Sequence, residues 1–198
     1  MDPTRNPFAP GAGNQPPELA GRGAILETAR VALRRAAQGR HAKSFMLVGL
    51  RGVGKTVLLN RIRQLADELR QHAYIIESPE DKSLAELLVP ILRRILLELS
   101  RDKAASHAVQ RGLRILVGFA KRLKVKYGDI EVGLDIEPEP GIGDSGDFEA
   151  DLSDVLVAVA EAAKSRKTVV ALLIDELQHV GEKELSALIM AVHRVSQE

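Results

Sequence analysis

Apolar residues recur along this chain with two periods, and the changes between them mark out its elements. Ile25, Ala29, Leu33 and Ala36 fall at helical spacing over residues 25–37, and Gly39 ends that run. The apolar segment 44–48, containing Phe45-Met46-Leu47-Val48, predicts a first strand. A helix is expected over 57–71, with Leu58, Ile62, Leu65 and Leu69 on its core face, and Ala73-Tyr74-Ile75-Ile76-Glu77 reads as a short strand. Ser83 followed by Glu86 is a capping-box pattern, in which each side chain satisfies a backbone N–H that the first helical turn leaves unpaired. Behind it, Leu84, Leu87, Leu88, Ile91, Leu92, Ile95, Leu96 and Leu99 form a broad stripe, either a buried core face or a partner surface. Pro90 lies inside this helix, removes one donor and predicts a kink.

Val109, Leu113, Leu116, Ala120 and Leu123 predict an amphipathic helix over 109–124, ringed by Arg111, Arg114, Lys121, Arg122 and Lys124. Residues 124–127 and 130–136 alternate at period two across Gly128-Asp129, which predicts a β-hairpin. The Glu-, Pro- and Gly-rich stretch 137–146 reads as a flexible acidic loop. Leu152, Val155, Leu156, Val159 and Ala163 make one more helix, and Leu185, Leu188, Ile189, Val192 and Val195 a last one. Between these two, residues 169–174 are continuously apolar, as in a parallel strand buried on both faces.

Two motifs add chemistry to this pattern. Gly49-Leu50-Arg51-Gly52-Val53-Gly54-Lys55-Thr56 sits between the first strand and the helix beginning at Val57. Its glycines let the backbone wrap a phosphate, and successive N–H groups with the helix N-terminus hold the charge. Gly49, Leu50, Arg51, Gly52, Val53, Gly54, Lys55, Thr56 and Val57 are therefore candidate nucleotide contacts, Lys55 reaching the β- and γ-phosphates and Thr56 ligating Mg²⁺. A chance Gly-rich turn would not need a strand before it and a helix after it. The second motif is Asp175-Glu176, at the carboxyl end of the 169–174 run, where α/β sheets bind ligands. Asp175 is placed to hold Mg²⁺ and Glu176 to deprotonate the attacking water. Alone, such a pair is often a solvated cap; together with the phosphate loop it favours the catalytic reading. Gln178 and His179 follow closely, either as polar support or as ordinary loop residues.

These residues resemble the AAA+ and related ATPases of the additional-strand, catalytic-glutamate group. Pro17-Glu18-Leu19-Ala20-Gly21-Arg22 and the amphipathic stretch after it are similar to the segment preceding the phosphate loop in origin-initiator-type and signal-transduction ATPases. There that segment lies against adenine and ribose, so the resemblance implies a nucleotide contact at Arg22. It also implies ATP/ADP and Mg²⁺ as ligands, and an α/β fold of three layers, α-β-α, around a parallel sheet. In that family a sensor strand stands between the phosphate-loop strand and the Asp-Glu strand. The chain stops at Glu198 without it, so residues 17–198 are expected to be the N-terminal part of such a domain, with an incomplete sheet and an exposed apolar slot beside 45–48 and 169–174. The 120 residues between Lys55 and Asp175 leave room for a helical and β-hairpin insertion over about 100–150.

Composition narrows the partners. Lys and Arg total 28 against 27 Asp and Glu, a net charge of +1, so any nucleic-acid partner needs a local patch. Helix 109–124 offers one for a protein or DNA partner, or its long cations are simply solvated. There is no cysteine, hence no disulfide and no thiolate zinc site. Five of the nine prolines fall in the first 17 residues, so 1–16 is expected to be a flexible arm. Without a secretory apolar core or a run of bilayer length, the expected location is cytoplasmic, with no membrane partner and with oligomerisation open.

Overall fold

Two short apolar segments, far apart in the chain, pair between the helices. Strand β1 (His72–Glu77) and strand β2 (Val170–Asp175) run parallel, in register from His72 opposite Val170 to Glu77 opposite Asp175. The structure, a computed structural model, describes residues 21–50, 52–100, 106–123 and 136–197. Around the strands lie α1 (Gly23–Ala37), α2 (Lys55–Glu68), α3 (Leu84–Ser100), α4 (His107–Arg122), α5 (Phe148–Ser165) and α6 (Glu182–Val195).

The period-two alternation of the strands sorts the helices into layers. Tyr74, Ile76, Val170, Leu172 and Ile174 pack into one cluster with α3, α4, α5 and α6. Ala73, Val169, Ala171 and Leu173 pack into the other, with Ala29 and Leu33 of α1 and Leu58, Ile62, Leu65 and Ala66 of α2. Helices therefore cover both faces of a parallel sheet, the α-β-α arrangement, although only two strands are hydrogen-bonded among the described residues.

Within the larger layer the apolar stripe of α3 is core: Leu84, Leu88, Leu92, Ile95 and Leu96 are fully buried. Its start is a complete capping box, Ser83 N and Oγ donating to Glu86 Oε2 at 2.8 and 2.7 Å while Glu86 N donates back to Ser83 Oγ at 3.3 Å. The helix continues through Pro90. On the sheet side, burial first and then the bond to Glu98 raise the Tyr74 hydroxyl pKa, and Arg94 stacks 5.7 Å from the ring centroid.

Four expectations are corrected. Residues 44–48 do not form a strand: their backbone is irregular, with Phe45, Met46 and Val48 exposed. An apolar β-prone run becomes a strand only where neighbouring backbone satisfies its N–H and C=O groups, and none pairs with it among the described residues. For the same reason β2 is half-buried instead of covered on both sides. The acidic stretch 137–146 is pinned, not flexible. Glu139 pairs with Arg111 and Arg114 of α4, Gly143 N donates to Asp154, and Ser145 N, Ser145 Oγ and Gly146 N all donate to the buried carboxylate of Asp151. Helix α2 also starts two residues earlier than expected, at Lys55, and stops at Glu68. The predicted hairpin at 124–136 lies outside the described residues except for Ile136, as does the arm 1–16. No described helix is long and apolar enough to cross a membrane.

Candidate functional site

The phosphate-loop motif folds as the entry to α2. Gly52 and Gly54 take φ of 81° and 84°, a left-handed backbone that costs a residue with a Cβ about 1 kcal/mol or more. A Cβ built at either position meets nothing within 4 Å, so backbone conformation and not crowding requires glycine there. Gly54 is the N-cap of α2, which aims the first free N–H groups of the helix into the loop.

Lys55 Nζ folds back over this loop and donates to the Gly49 and Leu50 carbonyls, both at 3.0 Å. The ammonium is thus held above the loop by neutral acceptors, with its charge unpaired among the described residues. Arg22, the N-cap residue of α1, donates from Nη2 to the Val53 carbonyl at 2.9 Å. Of the remaining sequence-expected contacts, Val57 lies in the first turn of α2, whereas Arg51 and the segment 17–20 lie outside the described residues.

The second half of the site comes from the end of β2. Thr56 Oγ1 donates to Asp175 Oδ2 at 2.6 Å across 119 residues of sequence. The other oxygen, Asp175 Oδ1, accepts from the Glu176 N–H at 3.0 Å. Asp175 is 7% exposed, and its carboxylate is fixed at both ends by groups that motif spacing had placed together. A hydroxyl and a carboxylate are the hard oxygen donors that suit Mg²⁺, which completes its shell from water and phosphate. No cluster of three or more His, Asp or Glu side chains offers a metal cage among the described residues.

Glu176 stands just past the strand with φ 54° and ψ 38°, and its Oε2 accepts from Gln178 Nε2. Residues Leu177–His179 form one 3₁₀ turn. His179 Nδ1 lies 2.9 Å from the Ser78 carbonyl at the exit of β1, and its Nε2 is 3.6 Å from Glu80. The Ser78 hydroxyl is buried beside this strand end without a hydrogen-bond partner among the described residues. The bonds from Gln178 and His179 were not legible in the sequence, whose one signal was polar residues two and three places after the acidic pair.

The basic helix is partly neutralised. Arg111 donates to Glu139 and Glu161 at 3.0 and 2.9 Å, and Arg114 to Glu139 at 3.1 Å. Its bond from Arg111 holds the Glu139 carboxyl below the usual carboxylate range, and the same bond raises Arg111.

A family profile described as AAA ATPase domain matches residues 18–198. No curated protein and no solved structure matches the chain.

Proposed function

The chain belongs to the AAA ATPase domain family, whose activity is ATP binding and hydrolysis, and on that premise we propose a Mg²⁺-dependent ATPase with named roles for its residues. The loop from Gly49 to Val57 takes the phosphates on backbone N–H groups. Lys55 adds a positive charge at the β- and γ-phosphates, and Arg22 supports the loop through Val53 on the nucleoside side. Thr56 and Asp175 would hold Mg²⁺, which when bound neutralises charge on the β- and γ-phosphate oxygens. Glu176 accepts the proton of the attacking water.

The observation that carries this reading is the 2.6 Å bond between Thr56 and Asp175, which joins the two motifs into one oxygen site. Calorimetry with Mg·ATP and steady-state phosphate release test it. Lys55→Ala should weaken binding by roughly 100-fold, the loss of two charge-assisted bonds. Asp175→Asn should raise the Mg²⁺ requirement. Glu176→Gln should keep affinity and lose most turnover, because water activation belongs to the transition state. Equal affinity for wild type and Lys55→Ala would rule out the site.

In its finer form the proposal is an ATPase module of a larger regulatory or DNA-associated protein. The resemblance around Gly21-Arg22 supports it, as do Lys121 and Arg122 on α4, which have no acidic partner among the described residues. A second reading, a nucleotide-gated binding switch with little turnover, draws support from the exposed apolar segment 45–50 leading into the loop. Mg·ATP binding with phosphate release no faster than background would favour the switch.

A further inference from the structure

The turn after β2 is fixed on both sides and carries one side chain with no structural task of its own. On the near side, the Glu176 N–H is bound to Asp175 Oδ1. On the far side, His179 N donates to the Glu176 carbonyl at 3.0 Å, the His179 ring bonds the Ser78 carbonyl, and Val180 is buried in the main core. Between them Glu176 adopts a left-handed backbone, which a non-glycine residue keeps only where its surroundings hold it. Gln178 projects from the middle of this turn, exposed, and its only described side-chain bond goes to Glu176 Oε2. Oε1 of the same carboxylate has no partner among the described residues.

We propose that Gln178 is a positioning residue for Glu176, its carboxamide holding one carboxylate oxygen so that the other accepts the proton of the attacking water. This rests on the reading of Glu176 as the proton acceptor. A free glutamate side chain samples several rotamers, and selecting one costs entropy that a fixed donor offsets before substrate arrives. The donor must also be neutral. A lysine in its place would compete for the negative charge that makes Glu176 a base, whereas an amide binds the carboxylate and brings no countercharge. Because Gln178 meets only Glu176, its effect belongs to the chemical step and not to nucleotide affinity.

The test uses the full chain, with Mg·ATP turnover and calorimetric affinity measured on each variant. Gln178→Ala and Gln178→Glu, the second nearly isosteric but unable to donate when ionised, should each lower kcat about tenfold or more, with KM and Kd within about twofold. Gln178→Asn, which keeps the amide on a shorter stem, should recover part of the loss. In a Glu176→Gln background, Gln178→Ala should change nothing further, since the two act as a unit. In the proton–nitrogen spectrum, the side-chain amide signals that vanish in Gln178→Ala should move in Glu176→Ala. Wild-type kcat in Gln178→Ala, alongside a Glu176→Gln enzyme that has lost turnover, would overturn the inference and leave the ATPase reading intact. Unchanged Gln178 amide signals in Glu176→Ala would also overturn it. Full turnover in Glu176→Gln would remove Glu176 as the proton acceptor, and the inference with it.

Discussion

The two faces of the sheet are built to different depths. On one, α3, α4, α5 and α6 enclose a core whose Leu88, Leu92, Ile95, Leu96, Phe119 and Leu152 are completely shielded from water. On the other, α1 and α2 bury six residues, and the adjoining stretch leaves Val48 91% and Leu50 82% exposed. Arg22, Lys55 and Thr56, proposed to serve the nucleotide, all belong to the thin side, while Asp175 and Glu176 sit where the sheet joins the two. Stability and chemistry are thus divided: the thick layer fixes β2, and the thin layer brings the phosphate loop to it. Loops that must admit a ligand belong to the less stable parts of a fold.

The largest test of this division removes one leucine from each side. Leu96→Ala should cost about 4 kcal/mol in urea unfolding and Leu58→Ala about 2, because a cavity deep in a close-packed layer collapses less than one near solvent. Equal losses would erase the distinction. A smaller contrast comes from glycines. A Cβ on Gly112 would lie 2.9 Å from Leu96 Cδ2 and 3.5 Å from the Ala158 carbonyl, whereas a Cβ on Gly23 meets nothing within 4 Å. Gly112→Ala should lose about 1 kcal/mol, overpacking outweighing helix preference, and Gly23→Ala should lose nothing measurable.

Charging the thin side should scarcely alter folding. Met46→Lys with Val48→Lys should stay within about 0.5 kcal/mol of wild type, yet raise the monomer fraction in light scattering, since both side chains are exposed. The smallest effect concerns the ion pairs of α4. The Glu139 carboxyl is held below its ordinary value by Arg111, so its contribution is present at neutral pH and fades as pH falls through that lowered value. The melting-temperature gap between wild type and Glu139→Gln should therefore close on acidification. A gap that widened in acid would reverse the assignment.

The helices were legible because each buries a face at period 3.6, and the meeting of the two motifs in one candidate site was legible because motif spacing encodes a geometry that brings Thr56 to Asp175 across 119 residues. What escaped the sequence depended on distant partners. Residues 44–48 have every local preference of a strand and no paired backbone among the described residues, so propensity did not decide their state. The stretch 137–146 has the composition of a flexible loop, yet Arg111, 28 residues before Glu139, and Asp151, inside the next helix, hold it in place. No local pattern contains either pairing. The bond from Gln178 to Glu176 was hidden for the opposite reason: it spans two residues, and only the left-handed backbone at Glu176 turns them toward each other.

The irregular backbone at 41–50 joins α1 to the phosphate loop and carries Lys43 and Phe45 exposed to solvent. A peptide in that state fits a protease cleft, which needs several residues of extended, accessible chain. Among the described residues, limited digestion should cut here first, trypsin after Lys43 and chymotrypsin after Phe45. The nick would separate the helix bearing Arg22 from the loop it clasps through Val53, leaving the two joined by the packing of α1 on α2. On the proposed reading of Arg22 and the loop, Mg·ATP would draw both pieces onto one ligand, so the time taken to fall apart after nicking would become a clock for nucleotide occupancy.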